Sequence, residues 1–437
     1  MGSTEKVMNR SLVVVGALLI QLCLGAIYAW SVFTPYLKKA PFNFSTTQTQ
    51  AVFSVGLATF AIVMVLAGRW QAKYGPRIVA LVGGIILGAG YILAGLFGQS
   101  FISQVIFIGL IGGAGIGLAY VCPIAVGMKW FPDKKGLITG LAVAGFGFGA
   151  LIWIKLAGSW GGLLESMGVL RVFLLYGILF GTAVIGGSIW MVNPPEGWKP
   201  AGWIPPDAST KTRSAPGSVD LLPGEMLRTP QFYSLWIMFI FSGMAGLMTI
   251  GVIKLFGIEA LQKSGMDAVK ASAVAGTAMA VFYSIANGLG RIIWGTISDK
   301  IGRKAALTLM CALQGIMMLL FYGMGGSPYL LYLGAAMIGF NFGGNFSLFP
   351  TATADFFGIK NVGRNYGWVF TAYGVGGIIG PIMAGRIRDA GQAWLTAFII
   401  SGVACLVAAV IGLTLKRVES QSASAYGTAS SQRHAAG

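Results

Sequence analysis

The chain has 437 residues, 56% of them hydrophobic and only 10% charged, with a mean hydropathy of +0.76. A soluble chain carries roughly 25% charged residues, so a soluble globular fold is excluded, and the absence of alternating ten-residue strand patterns excludes a membrane barrel. The formal charge of +17 does not describe a nucleic-acid surface, because the basic residues sit in short loops between apolar spans and follow a membrane-orientation pattern.

Ser11 opens the first apolar span, and no small-residue cleavage site follows it convincingly, so it reads as a membrane helix and not a removed leader. Apolar length and punctuation then predict twelve transmembrane helices, over residues 11–36, 47–68, 78–98, 101–128, 136–157, 171–193, 230–257, 271–297, 305–325, 328–354, 365–386 and 393–415. Uncharged runs such as Ile78 to Met128 and Leu307 to Ala354 each hold two of them. The fold expected is all-α: residues 1–193 as one six-helix bundle and 230–417 as a second. Residues 194–229, rich in Pro, Ser, Thr and charge, read as a central loop, and 418–437 as a disordered tail.

Twenty of the 30 Lys and Arg residues fall on the side of the N-terminus, seven on the opposite side and three inside spans. That bias places both termini, the central loop and the tail in the cytoplasm, with the chain in the cell (inner) membrane. A shift of 227 positions brings Gly68 onto Gly295, Gly75 onto Gly302, Gly88 onto Gly315, Gly147 onto Gly374, Gly149 onto Gly376 and Pro123 onto Pro350. Chance does not produce ten such Gly–Gly matches in one short window, so the halves are an internal repeat. Two parallel six-helix halves joined by a cytoplasmic loop form the layout of a rocking transporter, with its site between the halves.

Gly109, Gly113 and Gly117, spaced four apart, and Gly136 and Gly140 read as close helix-packing faces, not a nucleotide loop, because no strand–turn–helix context surrounds them. Cys23, Cys122, Cys311 and Cys405 all lie in apolar spans with no C-x-x-C pair, and the lone His434 lies in the tail. No metal, cofactor or catalytic group is therefore expected, and a membrane-embedded acyl or lipid transferase has almost nothing to work with.

None of the 13 acidic residues lies well inside a span, whereas Arg291 does. A buried guanidinium stays charged and needs a partner, so the expected partner is an incoming anion. The competing reading is that Arg291 snorkels to the nearer membrane face. Asn287, four residues earlier, shares its helix face and offers an amide to a hydroxyl or carboxylate. Lys155 and Lys254, near the outer ends of their helices, either reach the headgroups or attract anions from outside. Tyr28, Tyr120, Phe342, Phe346, Phe370 and Tyr373 mark the expected cavity walls.

Several motifs carry a family resemblance. Gly68 to Arg77 (GRWQAKYGPR) and its repeat Gly295 to Lys304 (GTISDKIGRK) resemble the helix 2–3 and 8–9 loops of the major facilitator superfamily. Lys129 to Gly145 (KWFPDKKGLITGLAVAG) is similar to the helix 4–5 signature of monocarboxylate transporters. Gly224 to Phe232 (GEMLRTPQF) and Arg364 to Gly367 (RNYG) resemble the bacterial oxalate/formate antiporter branch.

The resemblance implies a monomeric carrier with a carboxylate site between its halves. The helix-8 arginine that engages the carboxylate falls on Arg291, and the aromatic positions fall on Tyr28, Tyr120, Phe342, Phe346 and Phe370. The oxalate branch has a helix-11 lysine where this chain has Tyr373. The loss of that cation disfavours a dianion and favours a monoanion such as L-lactate or pyruvate. Proton-coupled animal relatives have an aspartate where this chain has Asn287, so the usual proton acceptor is missing. The resulting expectation is a proton-coupled monocarboxylate transporter, not an enzyme, with an oxalate- or formate-type exchanger as the alternative.

Overall fold

The computed structural model describes residues 8–131, 135–195, 198–200, 220–358 and 361–416. Most of the central loop and all of the C-terminal tail lie outside them, as does His434. Twelve long helices run through the described residues, and no strand occurs among those residues. They are α1 Arg10–Leu37, α2 Thr46–Tyr74, α3 Pro76–Phe97, α4 (Phe101–Gln104, Val105–Gly112 and Gly113–Trp130 in continuous succession), α5 Lys135–Ala157 and α6 Leu163–Ser188. After the loop come α7 Pro230–Lys263, α8 Ala268–Ile301, α9 Arg303–Met324, α10 Pro328–Phe357, α11 Val362–Asp389 and α12 Trp394–Thr414.

Ten of these meet the length and apolarity needed to cross a membrane. The other two are α5, whose described apolar stretch is the shorter Val143–Ala157, and α10, which carries the buried amides Asn341 and Asn345. The sixth helix departs from expectation by starting eight residues early. That stretch carries the charges of Glu165 and Arg171, which lower its hydropathy. The chain forms a short helical turn there, then re-aims at Gly168 (φ 76°) before the span proper.

Local chemistry sets the ends. Ser45 and Gln48 form a reciprocal cap at α2, Thr229 accepts from the Phe232 amide ahead of Pro230 at the start of α7, and Asp267 caps α8. The internal repeat reaches the backbone. Gly75 and Gly302, 227 positions apart, take φ/ψ of 85°/155° and 87°/154°, a left-handed corner open to glycine that stops α2 and α8 and starts α3 and α9.

Within the first six helices α3 packs on α6 and α4, and α1 on α4, α5 and α6; within the last six α9 packs on α12, α8 on α10, and α7 on α11 and α12. Contacts between the two sets run along three seams: α2 with α11, α5 with α8, and α1 with α7. At the end remote from the termini the two sets are tied by hydrogen bonds, across the α2–α11 and α5–α8 seams and from α2 to α7. Asp389 accepts from the amides of Thr46 and Thr47 (2.9 and 2.7 Å), Gln50 donates to the Gly251 carbonyl (3.2 Å), and Lys155 donates to Thr277 (2.9 Å).

The α4 glycines do what their spacing indicates. A Cβ on Gly109, Gly113 or Gly117 would press into Val55, Gly56 or Phe60, all on α2. The packing of Gly136 and Gly140 falls outside the described side chains. Gly117→Val is expected to lower stability by about 1–3 kcal/mol through overpacking, read as a drop in unfolding temperature in detergent. An unchanged temperature would show that α2 and α4 separate freely.

Candidate functional site

Two local irregularities aim side chains at the centre. A 3₁₀ segment, Gly25–Ala29, interrupts α1 and carries Tyr28, which is buried. Its Gly25 and Gly149 of α5 approach backbone to backbone, which any side chain would prevent. In α8 a π segment, Ala278–Tyr283, precedes the turn bearing Asn287 and Arg291. Such one-turn irregularities recur at functional sites. Gly290, Gly339 and Gly343 let α8 and α10 touch through backbone atoms beside that turn.

Arg291 does not snorkel: it is 4% exposed. Its Nε donates to Asn287 Oδ1 (3.1 Å) and one terminal nitrogen to the Val143 carbonyl of α5 (3.0 Å). Its guanidinium lies 4.1 Å from the Phe346 ring centroid, a cation–π contact. The other terminal nitrogen, Nη2, is buried and forms no hydrogen bond of normal geometry, with the Tyr28 and Tyr120 hydroxyls close to the guanidinium, and Asn287 Nδ2 is likewise unpartnered. Among the described residues no carboxylate pairs with Arg291. A buried charged donor left empty is unfavourable by several kcal/mol on an order-of-magnitude scale. The planar fork of Arg291 matches a carboxylate's two oxygens.

The remaining expected residues gather around this fork. The Tyr28 and Tyr373 hydroxyls hydrogen-bond across the two halves at 3.0 Å. One of them is the donor, which leaves the other's O–H free for a ligand oxygen. Tyr373 stacks on Phe370 (centroids 4.9 Å) and meets Phe346 edge-on (5.7 Å), while Phe342 meets Phe346 (5.3 Å) and Tyr28 (5.9 Å). Tyr120 stacks on Phe370 at 6.3 Å, and its hydroxyl lies within reach of the Arg291 charge. All eight expected site residues therefore lie in one buried cluster.

Two residues that sequence reasoning missed complete it. Phe60 of α2 contacts Tyr120, Phe146, Phe370 and Tyr373, and Phe146 of α5 contacts Tyr28 and Tyr120. The signal was present in the repeat: the 227-residue shift maps Phe146 onto Tyr373 and Phe60 onto Asn287. Gln21 also reaches the cluster, donating to the Tyr120 carbonyl at 3.1 Å with its own carbonyl oxygen unpartnered.

A surface groove of about 810 Å³ at the terminus end, lined by Asp299, Arg303 and Asp355, is a different feature. Its arginine is already neutralised by Asp299 (2.7 Å) and Asp355 (3.1 Å). The four cysteines are buried thiols, and no cluster of metal-ligating side chains occurs among the described residues.

A family profile described as the Major Facilitator Superfamily matches residues 17–282 and 266–434. The chain is 31% identical to an Escherichia coli (strain K12) protein named "Uncharacterized MFS-type transporter YhjX", over 85% of this chain and 86% of that one. It is 27% identical to the oxalate:formate antiporter of Oxalobacter formigenes, over 90% and 88%, and 25% identical to apicoplast pyruvate carrier 1 of Toxoplasma gondii, over 82% and 80%. The crystal structure of the nucleoside transporter NupG shares the fold, with a TM-score of 0.69 at 14% identity, covering 93% of this chain and 99% of NupG.

Proposed function

The chain belongs to the Major Facilitator Superfamily, a family of multi-pass membrane transporters, and from that premise we propose that it is a proton-coupled carrier of small monocarboxylates, L-lactate and pyruvate-like anions first among them. The observation that carries the reading is the unfilled Nη2 of Arg291, buried at the meeting of the two halves with no acid paired to it among the described residues. A carboxylate would complete the guanidinium fork. The Asn287 amide and the free hydroxyl of the Tyr28–Tyr373 pair would hold the second carboxylate oxygen or an α-hydroxyl. Phe342, Phe346, Phe370 and Tyr120 would enclose the small apolar remainder.

Charge also supplies a gate. With an anion in place the site is neutral and the halves close over it most readily; the empty carrier returns more slowly, because a bare guanidinium is costly to seal in a medium of low dielectric. Alternating access then follows from rocking residues 1–193 against 230–417 about this point. The basic-residue bias orients both termini to the cytoplasm in the cell membrane, and one chain holds a complete site, so the working unit is a monomer. Small carboxylates as the cargo class are supported by the likeness to the oxalate:formate antiporter of Oxalobacter and the pyruvate carrier of Toxoplasma.

The test is uptake of radiolabelled L-lactate into proteoliposomes, with and without an inward proton gradient, against competing pyruvate, acetate, formate and oxalate. Gradient-stimulated uptake blocked by pyruvate and not by oxalate is expected. The second reading, anion exchange, is favoured by the 27% identity to the oxalate:formate antiporter. It requires no L-lactate uptake, and oxalate or formate flux that depends on internal anion.

A further inference from the structure

Among the described residues Arg291 is not the only buried cation without an ion-pair partner. Lys254 of α7 is 8% exposed, and a Cβ on Gly276 of α8 would sit 3.3 Å from its Nζ. Lys155 of α5 sends its Nζ to Thr277 Oγ1 (2.9 Å) and Ser159 Oγ (3.3 Å). Gly276 and Thr277 are neighbours, so the two ammonium groups converge on one turn of α8, one from each half of the molecule. Lys254 is nearly buried, and Lys155 is half-buried with its ammonium held by Thr277 and Ser159. Among the described residues neither forms an ion pair, and the exposed Glu165 acts on Lys254 only through space. Two like charges held together, one nine-tenths buried, are unfavourable, and an anion between them relieves the cost without either group losing its proton.

This turn is separate from the Arg291 site. Thr277 and Arg291 are fourteen positions apart in α8, and at about 1.5 Å per residue that separation is about 20 Å. No small carboxylate bridges that distance. Yet both places lie on the same seam, where α5 meets α8: Lys155 bonds Thr277 at the remote end, and Val143 bonds Arg291 deeper in. We propose that Lys155, Lys254 and Thr277 form a second carboxylate-binding station at the remote end of the α5–α8 seam, in series with Arg291.

Ammonium groups are compact point charges on flexible stems and lack the planar fork of arginine. They capture a carboxylate without fixing its orientation, which suits a station that must pass its ligand on. The inference rests on the transport reading above, with the same monocarboxylate as its ligand.

The first arm of the test measures initial L-lactate uptake in proteoliposomes for the wild type and for Lys254→Met, which keeps the side-chain volume. At low ionic strength Lys254→Met is expected to raise the half-saturating concentration about fivefold, with a smaller change in maximal rate. An unchanged half-saturating concentration at low salt overturns the station.

The second arm needs no transport. In detergent, L-lactate, pyruvate and oxalate are tested for thermal stabilisation of Arg291→Ala and of the double variant Arg291→Ala/Lys254→Met, each first shown to elute as a single folded peak. The station predicts a carboxylate-dependent shift in the first that is lost in the second. Equal shifts, or none in either, refute it. If the wild type moves no L-lactate, the transport reading fails and this second arm alone decides the station.

Discussion

Arg291→Ala is expected to abolish carboxylate uptake while leaving the protein folded. Removing one partner of a buried, hydrogen-bonded charge pair costs about 2–5 kcal/mol, which converts at about 1.4 kcal/mol per decade to a loss of roughly 30- to several-thousand-fold. The unliganded protein should not lose stability in proportion. The wild-type guanidinium is buried with Nη2 unbonded, and replacing an uncompensated buried charge by an apolar group of similar volume is neutral or stabilising. Arg291→Met, which preserves volume better than alanine, should therefore unfold at or above the wild-type temperature and still fail to transport. Thermal unfolding in detergent and uptake in proteoliposomes, run on the same preparation, check both halves. Substantial uptake by Arg291→Ala would sink the central-site proposal outright; a large fall in unfolding temperature for Arg291→Met would assign the arginine a structural role instead.

What made Arg291 legible was a mismatch that needs no coordinates: one permanent cation in an apolar span, and no acid in any span to meet it. Helix number, and the packing face of Gly109, Gly113 and Gly117, were legible for a similar reason, because length, apolarity and four-residue spacing are one-dimensional properties. The start of α6 was not, since Gly168 allows a charged turn and a span to run on at an angle that hydropathy cannot see. Phe60 and Phe146 were hidden because phenylalanine in an apolar helix looks the same whether it faces lipid, core or ligand. Only the 227-residue repeat distinguishes them, by laying Phe146 on Tyr373. Lys254 was ambiguous from sequence, where the snorkelling length of lysine allows it to reach a headgroup. The structure places it against Gly276 and keeps it inside.

Tyr373→Lys is expected to change the charge class of the cargo. Tyr373 is fully buried, bonded to Tyr28 and stacked on Phe370, at the position where the oxalate branch resembled by this sequence carries a lysine. An ammonium there would face the cluster that holds Arg291, giving two fixed positive charges in one apolar enclosure. A monoanion would neutralise only one of them, leaving a net charge that opposes closure; a dianion would neutralise both. L-lactate uptake should fall about tenfold or more, and oxalate, expected to leave the wild type unaffected, should become an inhibitor and a substrate. Tyr373→Phe separates charge from hydrogen bonding: it removes only the Tyr28 partner, a loss of about 0.5–1.5 kcal/mol, and should weaken L-lactate uptake by roughly tenfold or less without admitting oxalate. Should Tyr373→Lys ignore oxalate and continue to move L-lactate at the wild-type rate, the charge at this position would not set substrate class, and selection would have to come from the enclosing rings.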